Sequence, residues 1–580
     1  MVPMYIERVP NRDSPPAILL REAWREGKRI RKRTIANLTH WPPEQIESLR
    51  RVLKGETVVS VDEAFAIERS LPHGHVEAVL GMVRKLGLEE LVASRRCRER
   101  DLVVAMMVEQ LIDPCSKLAT TRIWHTTTLA EELGVGDADE DELYEALDWL
   151  WSRQEGIEKK LAARHLGEGS LVLYDASSSY YEGHTCPLIQ YGHNRDGKKG
   201  KPIVVYGVMT DAAGRPVAVD VYPGNTGDPS TVGDQVERLR ERFGLSRVVL
   251  VGDRGLLTQT QIRYLRRYPG VGWISSLRSS EIRNLVEGGD LQMSLFDEQN
   301  LAETTSPEYP GERLIACMNP LLAEDRRRKR EELLAMTEKE LEKIGRAVAR
   351  RTRKPMGKDE IGLKVGKVIN AFKVGKHFEL KIGDGVFSWS RNETSIRREM
   401  ALDGIYVIRT SEPAKGLSAQ DAVRRYKSLS QVERLFRTLK SLDLRVRPIR
   451  HRTEAHVRAH IFLCMLAYYV EWHLRQALAP LLFDDEELSE DRNKRDPVAP
   501  ARSSRSARRK KVRRVTPDGL PVHSFDTLLK ELGTRCRNRC RLRSDPTGPT
   551  IQQLTERTPL QARVAELLRA YPVRHRQLPA

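Results

Sequence analysis

The spacing of apolar positions changes several times along the chain, and the changes mark its segments. From His75 to Leu166 apolar residues return at helical intervals, as in Val79, Met82, Val83 and Leu86, and again in Leu102, Met106, Val108 and Leu111. That is the stripe of amphipathic helices, and it predicts a helical domain over 61–168. At Leu171 short apolar runs take over. LVLYD ends on Asp175, and KPIVVYGVMTD and GRPVAVDVY are joined by Ala-Ala-Gly, a hairpin signal. A helix-like stretch from Ser230 to Phe243 leads to SRVVLVGD, which ends on Asp253; a helix over Leu257 to Arg267 and the strand VGWISSL follow. Hairpin strands followed by strand–helix alternation predict an α/β fold with one mixed sheet and flanking helices.

Beyond this first part of the core, 169–279, the pattern changes again. Leu334, Leu341 and Val348 lie seven apart with Ile344 between them, inside the charge-laden stretch Glu324 to Arg353. This predicts a long amphipathic or coiled-coil-like helix. Alternating strands return in HFELKIGDGVFSWS and DGIYVIRTS. Residues 280–402 are therefore expected to be an insertion, a long charged helix plus β strands, and 403–483 the second part of the core. Long helices are expected there over Gln420 to Lys440 and Glu454 to Leu478. Asp484 to Pro521 is acidic first (DDEELSED), then basic (ARSSRSARRKKVRR), with almost no core residues; 484–521 is expected to be a disordered charged linker. Residues 522–580 are expected to form a small helical segment around Leu560 to Leu568, and 1–60 basic N-terminal strands.

Charge then narrows the partners. The 580 residues hold 98 Lys and Arg against 80 Asp and Glu, a formal charge of +18. Such an excess favours a polyanion, because each phosphate neutralised releases condensed counterions, although a solvated basic surface is the plainer reading. Arg21, Arg25, Lys28, Arg29, Arg31, Lys32 and Arg33 crowd around Gly27, in a hairpin or a strand–helix pair able to lie along a phosphate backbone. The 61–168 domain is a candidate reader of DNA ends. Seven unpatterned cysteines suit a reducing compartment. The N-terminus is too charged for a signal peptide, and the most apolar stretch, Ile461 to Val470, is about half a bilayer crossing. A cytoplasmic protein with no membrane partner is expected.

Asp175 and Asp253 each close an apolar strand, and the edge past strand ends is where open α/β sheets hold ligands. Two such aspartates could share a divalent cation; each could equally start a turn or cap a helix. A third carboxylate comes from YKSLSQVERLFRTLK. On one helix Tyr426, Glu433 and Lys440 drift by only about 20 degrees per seven residues, beside the apolar face of Val432, Leu435, Phe436 and Leu439. Glu433 could point at a metal while Arg437 and Lys440 reach phosphate, or it could make an ordinary surface pair with Arg437. His193, Arg195, Lys198, Lys199 and Lys201 form a basic loop near Asp175, either a phosphate contact or a solvated hairpin approach. Trp389 could stack on an unpaired base or pack in a core. Asp220 and Asp228 suit strand-face and helix-cap roles. His456, His460 and Cys464 lie one turn apart, but structural histidines are the better reading.

In this order the motifs resemble bacterial insertion-sequence DDE transposases with a ribonuclease-H-like catalytic domain, in the branch carrying a Y-R-E-K signature and a β-rich insertion before the glutamate. DASSSYYEG and VLVGDRGLL are similar to the two aspartate motifs, and YPGNTGDPST and RPIRHRTEAHVRAHIFL also resemble family sequence. The likeness spans about residues 170–475. It implies a ribonuclease-H-like mixed sheet, catalytic and metal-binding Asp175, Asp253 and Glu433, and two Mg²⁺ per site with Mn²⁺ able to substitute. It also implies that water frees a 3′-hydroxyl which then attacks target DNA, with Tyr426 and Lys440 holding the cleaved end. Double-stranded DNA, as terminal inverted repeats and target, is the implied partner, bound by a homodimer in the nucleoid-associated cytoplasm of a bacterium. Two positions depart from the pattern. Ser177 replaces the usual Thr, and Leu429 replaces the signature Arg, a contact that Arg425, Arg434 or Arg437 could supply. A ribonuclease-H-like nuclease without strand transfer, or a catalytically dead DNA-binding relic, remain alternatives from the residues alone.

Overall fold

The computed structural model describes residues 4–12, 14–56, 65–183, 185–292, 296, 300–441, 444–499, 501–543 and 547–573. The chain forms two compact units, Met1–Leu71 with Cys536–Glu556, and Pro72–Arg535 with Arg557–Ala580. In the first, β1 (Met4–Val9), β2 (Ala17–Glu26) and β3 (Arg29–Asn37) pair antiparallel in that order. Gly27, at φ +64°, lets β2 turn into β3 within two residues. Four cations of this hairpin already have carboxylate partners: Arg21 and Lys32 on Glu7, Arg31 on Glu26 and Arg33 on Glu22. The helix Pro43–Leu53 follows, then β4 (Phe65–Pro72).

The second unit is built on a mixed eight-stranded sheet. Its early strands are β5 (Ser170–Tyr180), β6 (Ile203–Asp211), β7 (Pro216–Pro223), β8 (Val248–Val251) and β9 (Val271–Ser276). They are joined by β10 (Leu301–Thr304) and β11 (Arg313–Met318) and, past the two-stranded pair β12 (Phe378–Gly383) and β13 (Val386–Arg391), by β14 (Ile405–Thr410). The order is β10–β11–β14–β9–β8–β5–β6–β7. Only β8 runs parallel to its neighbours β5 and β9. Its VVLV is buried throughout, as a strand covered on both faces requires.

One face of the sheet is covered by the helix Glu454–Leu478, whose apolar residues share a core with the helices between Gly74 and His165. Those helices thus belong to the same compact unit as the sheet. The stretch expected to be a self-contained insertion is also divided. β10 and β11 extend the main sheet against β14. The helices Pro320–Arg350 and Lys358–Phe372, with β12, β13 and the helix Glu393–Met400, gather around a core of their own. In that core the seven-spaced Leu334, Leu341 and Val348 are buried, together with Ile344.

The segment expected to be a disordered linker carries the helices Leu488–Lys494 and Arg505–Arg513. Charge holds it where apolar residues are few. Asp484 pairs with Arg434 and Arg475, Asp485 accepts the Ser504 N–H at 2.8 Å, and the Lys510 ammonium donates to the Ala479 and Asp484 carbonyls at 2.8 Å each. A composition count misses such charge-assisted bonds. The tail is likewise not helical alone: β15 (Cys536–Leu542) and β16 (Ile551–Leu554) return to the first unit in the order β16–β15–β4. Among the described residues no helix is long and apolar enough to cross a membrane.

Candidate active site

Asp175 lies in the middle of β5, not at its end, because the strand continues through Ser-Ser-Ser to Tyr180. The parallel neighbour β8 is shorter. Its last rung is Leu173 against Val251, so Asp175 and Asp253 are each two residues past the point where the two strands part. The crevice opens there, at the carboxyl end of parallel strands. Burial, then the Asp253 charge, pushes the Asp175 carboxyl up to about 7; Asp228 adds to the rise and Arg195 opposes it. One Asp175 oxygen accepts the Ala176 N–H at 2.8 Å. Asp253 Oδ1 accepts the Gly255 and Leu256 N–H groups at 2.9 and 2.7 Å, which fixes the turn that carries it.

The basic loop comes back onto β5. Arg195 donates to the Ala176 carbonyl at 2.9 Å and pairs with Asp228. Asp228 therefore lies close enough for its charge to act on Asp175, and does not cap its helical turn as expected. Asp220 is on β7 and is occupied by Arg238 and Gln235. The Lys198 ammonium sits 5.9 Å from the centre of the Tyr180 ring.

The glutamate motif departs from the single helix its spacing predicts. The helix Ala419–Lys427 ends after Tyr426, and a second, Ser430–Lys440, begins beyond Leu429. Leu429 is buried in the core, and the Ser428 hydroxyl donates to the Arg425 carbonyl at 2.5 Å, a local bond that competes with helix continuation. Val432, Leu435, Phe436 and Leu439 are buried, whereas Glu433 and Arg437 are exposed on the other side. Tyr426 remains close: its hydroxyl bonds Ser276 at 2.7 Å, and burial, with the charges of Asp253 and Glu433, raises its pKa. Lys440 ties the far end of the glutamate helix to β5, donating to the Ser178 carbonyl at 2.5 Å and pairing with Asp196 at 3.2 Å. Burial lowers the Lys440 pKa, and Asp196 partly offsets this. Asp196 also receives Arg447 and the Tyr180 N–H. Arg434 points to Asp484 at 2.8 Å.

The structure thus brings Asp175, Asp253, Arg195 and Tyr426 together, with Glu433 beside Tyr426. It does not gather three ligands: among the described residues no three His, Cys, Asp or Glu side chains stand close enough to hold a metal ion. Trp389 is on β13, half-buried, its ring 5.8 Å from Phe378 in the core of the inserted part. His460 is buried against the Val446 carbonyl and Cys464, and His456 stacks on Tyr144. The donor set at the two aspartates fits a divalent cation. Both are hard carboxylate oxygens, and Asp175 is held by burial and a like charge above its ordinary range, a conflict that a bound cation would relieve. Sequence reading missed Ser276, Asp196 and Arg447, and gave Asp228 a cap role. DPST and NRDGKK carry the two aspartates but give no sign that they lie near the site.

A carboxylate pair at a sheet crevice of a strongly basic protein defines a candidate phosphoryl-transfer centre acting on nucleic acid. Residues 167–470, more than half of the chain, match the transposase DDE domain, and the chain belongs to that family. Residues 6–61 match the N-terminal domain of IS1634 family transposases, so this is an insertion-sequence transposase, a DNA-cleaving and strand-transferring enzyme. Its family works with a divalent metal. A cryo-EM structure of the piggyBac transposase synaptic complex with hairpin DNA is similar at a TM-score of 0.33 and 10% identity, covering 87% of this chain and 84% of that one. No curated protein matches the chain significantly.

Proposed function

We propose that Asp175, Asp253 and Glu433 form the metal-binding and catalytic set of a ribonuclease-H-like domain, with two Mg²⁺ ions, or Mn²⁺ in their place. The observation that carries this reading is the pairing of Asp175 with Asp253 two residues beyond the last β5–β8 rung. Since Glu433 is exposed at the edge of the crevice with no ion pair among the described residues, its helix must bring it inward when the site is loaded. Bound divalent ions supply Lewis-acid charge stabilisation and a nucleophilic oxygen near neutral pH. Tyr426 and Lys440 hold the cleaved end, and Arg437, one turn from Glu433, contacts phosphate. Arg195 and Lys198 flank the strand at β5, Arg434 braces the glutamate helix through Asp484, and Trp389 meets an unpaired base from the inserted part.

In the reaction water displaces a 3′ oxygen from phosphorus at the element end. The freed 3′-hydroxyl then attacks a phosphodiester of target DNA, forming one P–O bond as another breaks. Terminal inverted repeats and target are both double-stranded DNA, and joining two ends calls for a homodimer in the bacterial cytoplasm. The helices of 61–168, packed in the same compact unit as the sheet, read the DNA ends, and the basic strands of 1–60 lie along the phosphate backbone.

The test is cleavage and joining of a labelled duplex carrying the element's terminal repeat, in Mg²⁺ and in Mn²⁺. Wild type should nick at the repeat boundary and join the freed 3′ end to other DNA. Asp175→Ala and Glu433→Gln should bind the duplex without cutting it. A Glu433→Gln protein that still cuts removes Glu433 from the site, and a cutting Asp175→Ala overturns the whole assignment.

A further inference from the structure

We infer that the helix Arg505–Arg513 is a second DNA-contact surface, built to lie along the phosphate backbone without reading sequence. It rests on the proposed site only in taking duplex DNA as its partner. Arg505, Arg508, Arg509 and Arg513 follow three- and four-residue steps and share one face, with Val512 (82% exposed) among them. Ala507 and Lys510 are buried on the opposite face. All four arginines are exposed, and none has a carboxylate partner among the described residues. By contrast, the charged helix Pro320–Arg350 pairs Arg327, Arg328, Lys343 and Arg346 with acids one turn away.

The helix is also seated firmly. The Ser504 hydroxyl accepts the Ala507 N–H, and Lys510 spends its ammonium on the Ala479 and Asp484 carbonyls and on Glu486. Asp484 in turn holds Arg434, the neighbour of Glu433. Upstream, Arg492 donates to the Ser430 hydroxyl at 3.0 Å, and Arg424 and Lys427 donate to the carbonyls of Arg495 and Pro497. The segment is thereby strapped across both helices of the glutamate motif. One lysine faces inward as an anchor, and four arginines face outward with no carboxylate partner among the described residues. The sequence-independent partner with regularly spaced anions is the DNA backbone, for which arginine is well suited.

The test measures equilibrium binding of the full chain to two duplexes in EDTA across a salt series, one with the terminal repeat and one unrelated. Because no cutting occurs in EDTA, the result is independent of the carboxylate site. Each phosphate contact contributes about 0.9 to the slope of log K against log salt. Losing four contacts in Arg505→Ala/Arg508→Ala/Arg509→Ala/Arg513→Ala should lower the slope by about 3.6 and weaken binding roughly a thousandfold at about 0.15 M salt, on both duplexes. The matching Lys variant should keep most of the slope, and an unchanged thermal unfolding profile shows that the seat on Lys510 is intact. An unchanged slope in the Ala variant overturns the inference. So does a loss confined to the terminal-repeat duplex.

Discussion

Replacing Asp175 by Asn removes a charge that the folded chain holds against both burial and a second carboxylate, while the amide oxygen can still accept the Ala176 N–H. In the unfolded chain an aspartate ionises near its ordinary value, about 3.9. In the fold Asp175 ionises near about 7. Below the unfolded value both states carry the proton and the residue contributes nothing to the pH dependence. As pH rises between the two values the unfolded state ionises first, so stability falls; above the folded value the loss is constant. Three pH units correspond to about 4 kcal/mol as an upper bound at pH 8, and roughly 1.5 kcal/mol at pH 5. For a unit this large, 1 kcal/mol moves Tm by about 1 °C. In EDTA, Asp175→Asn should therefore melt a few degrees above wild type near about pH 8, with less than half that gain near about pH 5. Added Mg²⁺ or Mn²⁺ should raise the Tm of wild type, since a ligand bound only by the folded state stabilises it, and should do little for Asp175→Asn. Thermal unfolding at two pH values, with and without metal, reads all of this. A Tm difference that does not change with pH, or an equal metal response in both proteins, would refute the reasoning.

Other parts of the molecule give further expectations. Glu109, buried in the helix Arg98–Ile112, is pushed up to about 8 by burial and then by Asp113, against the pull of Lys117. Glu109→Gln should thus gain at most about 4 kcal/mol near pH 8 and almost nothing below about pH 4, which a pair of melts at the two pH values checks. Arg409 is fully buried and grips Glu312 with two bonds of 2.6 and 2.7 Å, leaving, among the described residues, only Arg266 on that carboxylate if it is removed. Arg409→Met should cost about 3 kcal/mol or more, and a double-mutant cycle with Glu312→Gln should return part of it, seen by denaturant unfolding. Gly207 faces Ala176 across β5–β6, and a Cβ there would come within 2.0 Å of the Tyr174 hydroxyl. Gly207→Ala must displace Tyr174, next to Asp175, so DNA cleavage should fall together with about 1–3 kcal/mol of stability; full cleavage activity would show that Asp175 tolerates the shift.

The parts of the fold that burial dictates could be read from the chain. VVLV reads as a covered strand and is one; the seven-spaced apolar residues of the inserted helix form its buried stripe. Asp175 and Asp253 stand out because each follows such a run. What periodicity cannot register is an interruption. Ser428 and Leu429 break the predicted helix with one side-chain bond and one buried leucine, so Tyr426 and Glu433 do not share a helix. Nor can it show long-range partners. β10 and β11 look like the rest of the insertion until they pair with β14, and Asp228 looks like a cap until Arg195 arrives from more than thirty residues earlier. The 484–521 stretch was illegible for a third reason: its order comes from ammonium and guanidinium groups meeting carbonyls and carboxylates, and apolar counting ignores those.

The strand order also sets a waiting time during synthesis. β9 pairs on one side with β8, made just before it, but on the other with β14, which lies about 130 residues later. At roughly 5–20 residues per second the ribosome takes about 7–26 s to make that stretch. Throughout it, Val-Gly-Trp-Ile-Ser-Ser presents bare backbone donors and acceptors along the edge of a part-built sheet, a template for any other extended chain nearby. The nascent polypeptide is thus most prone to aggregate after its first catalytic strands have folded and before the insertion is complete. Slower elongation between about residues 280 and 400 should therefore lower the yield of folded enzyme.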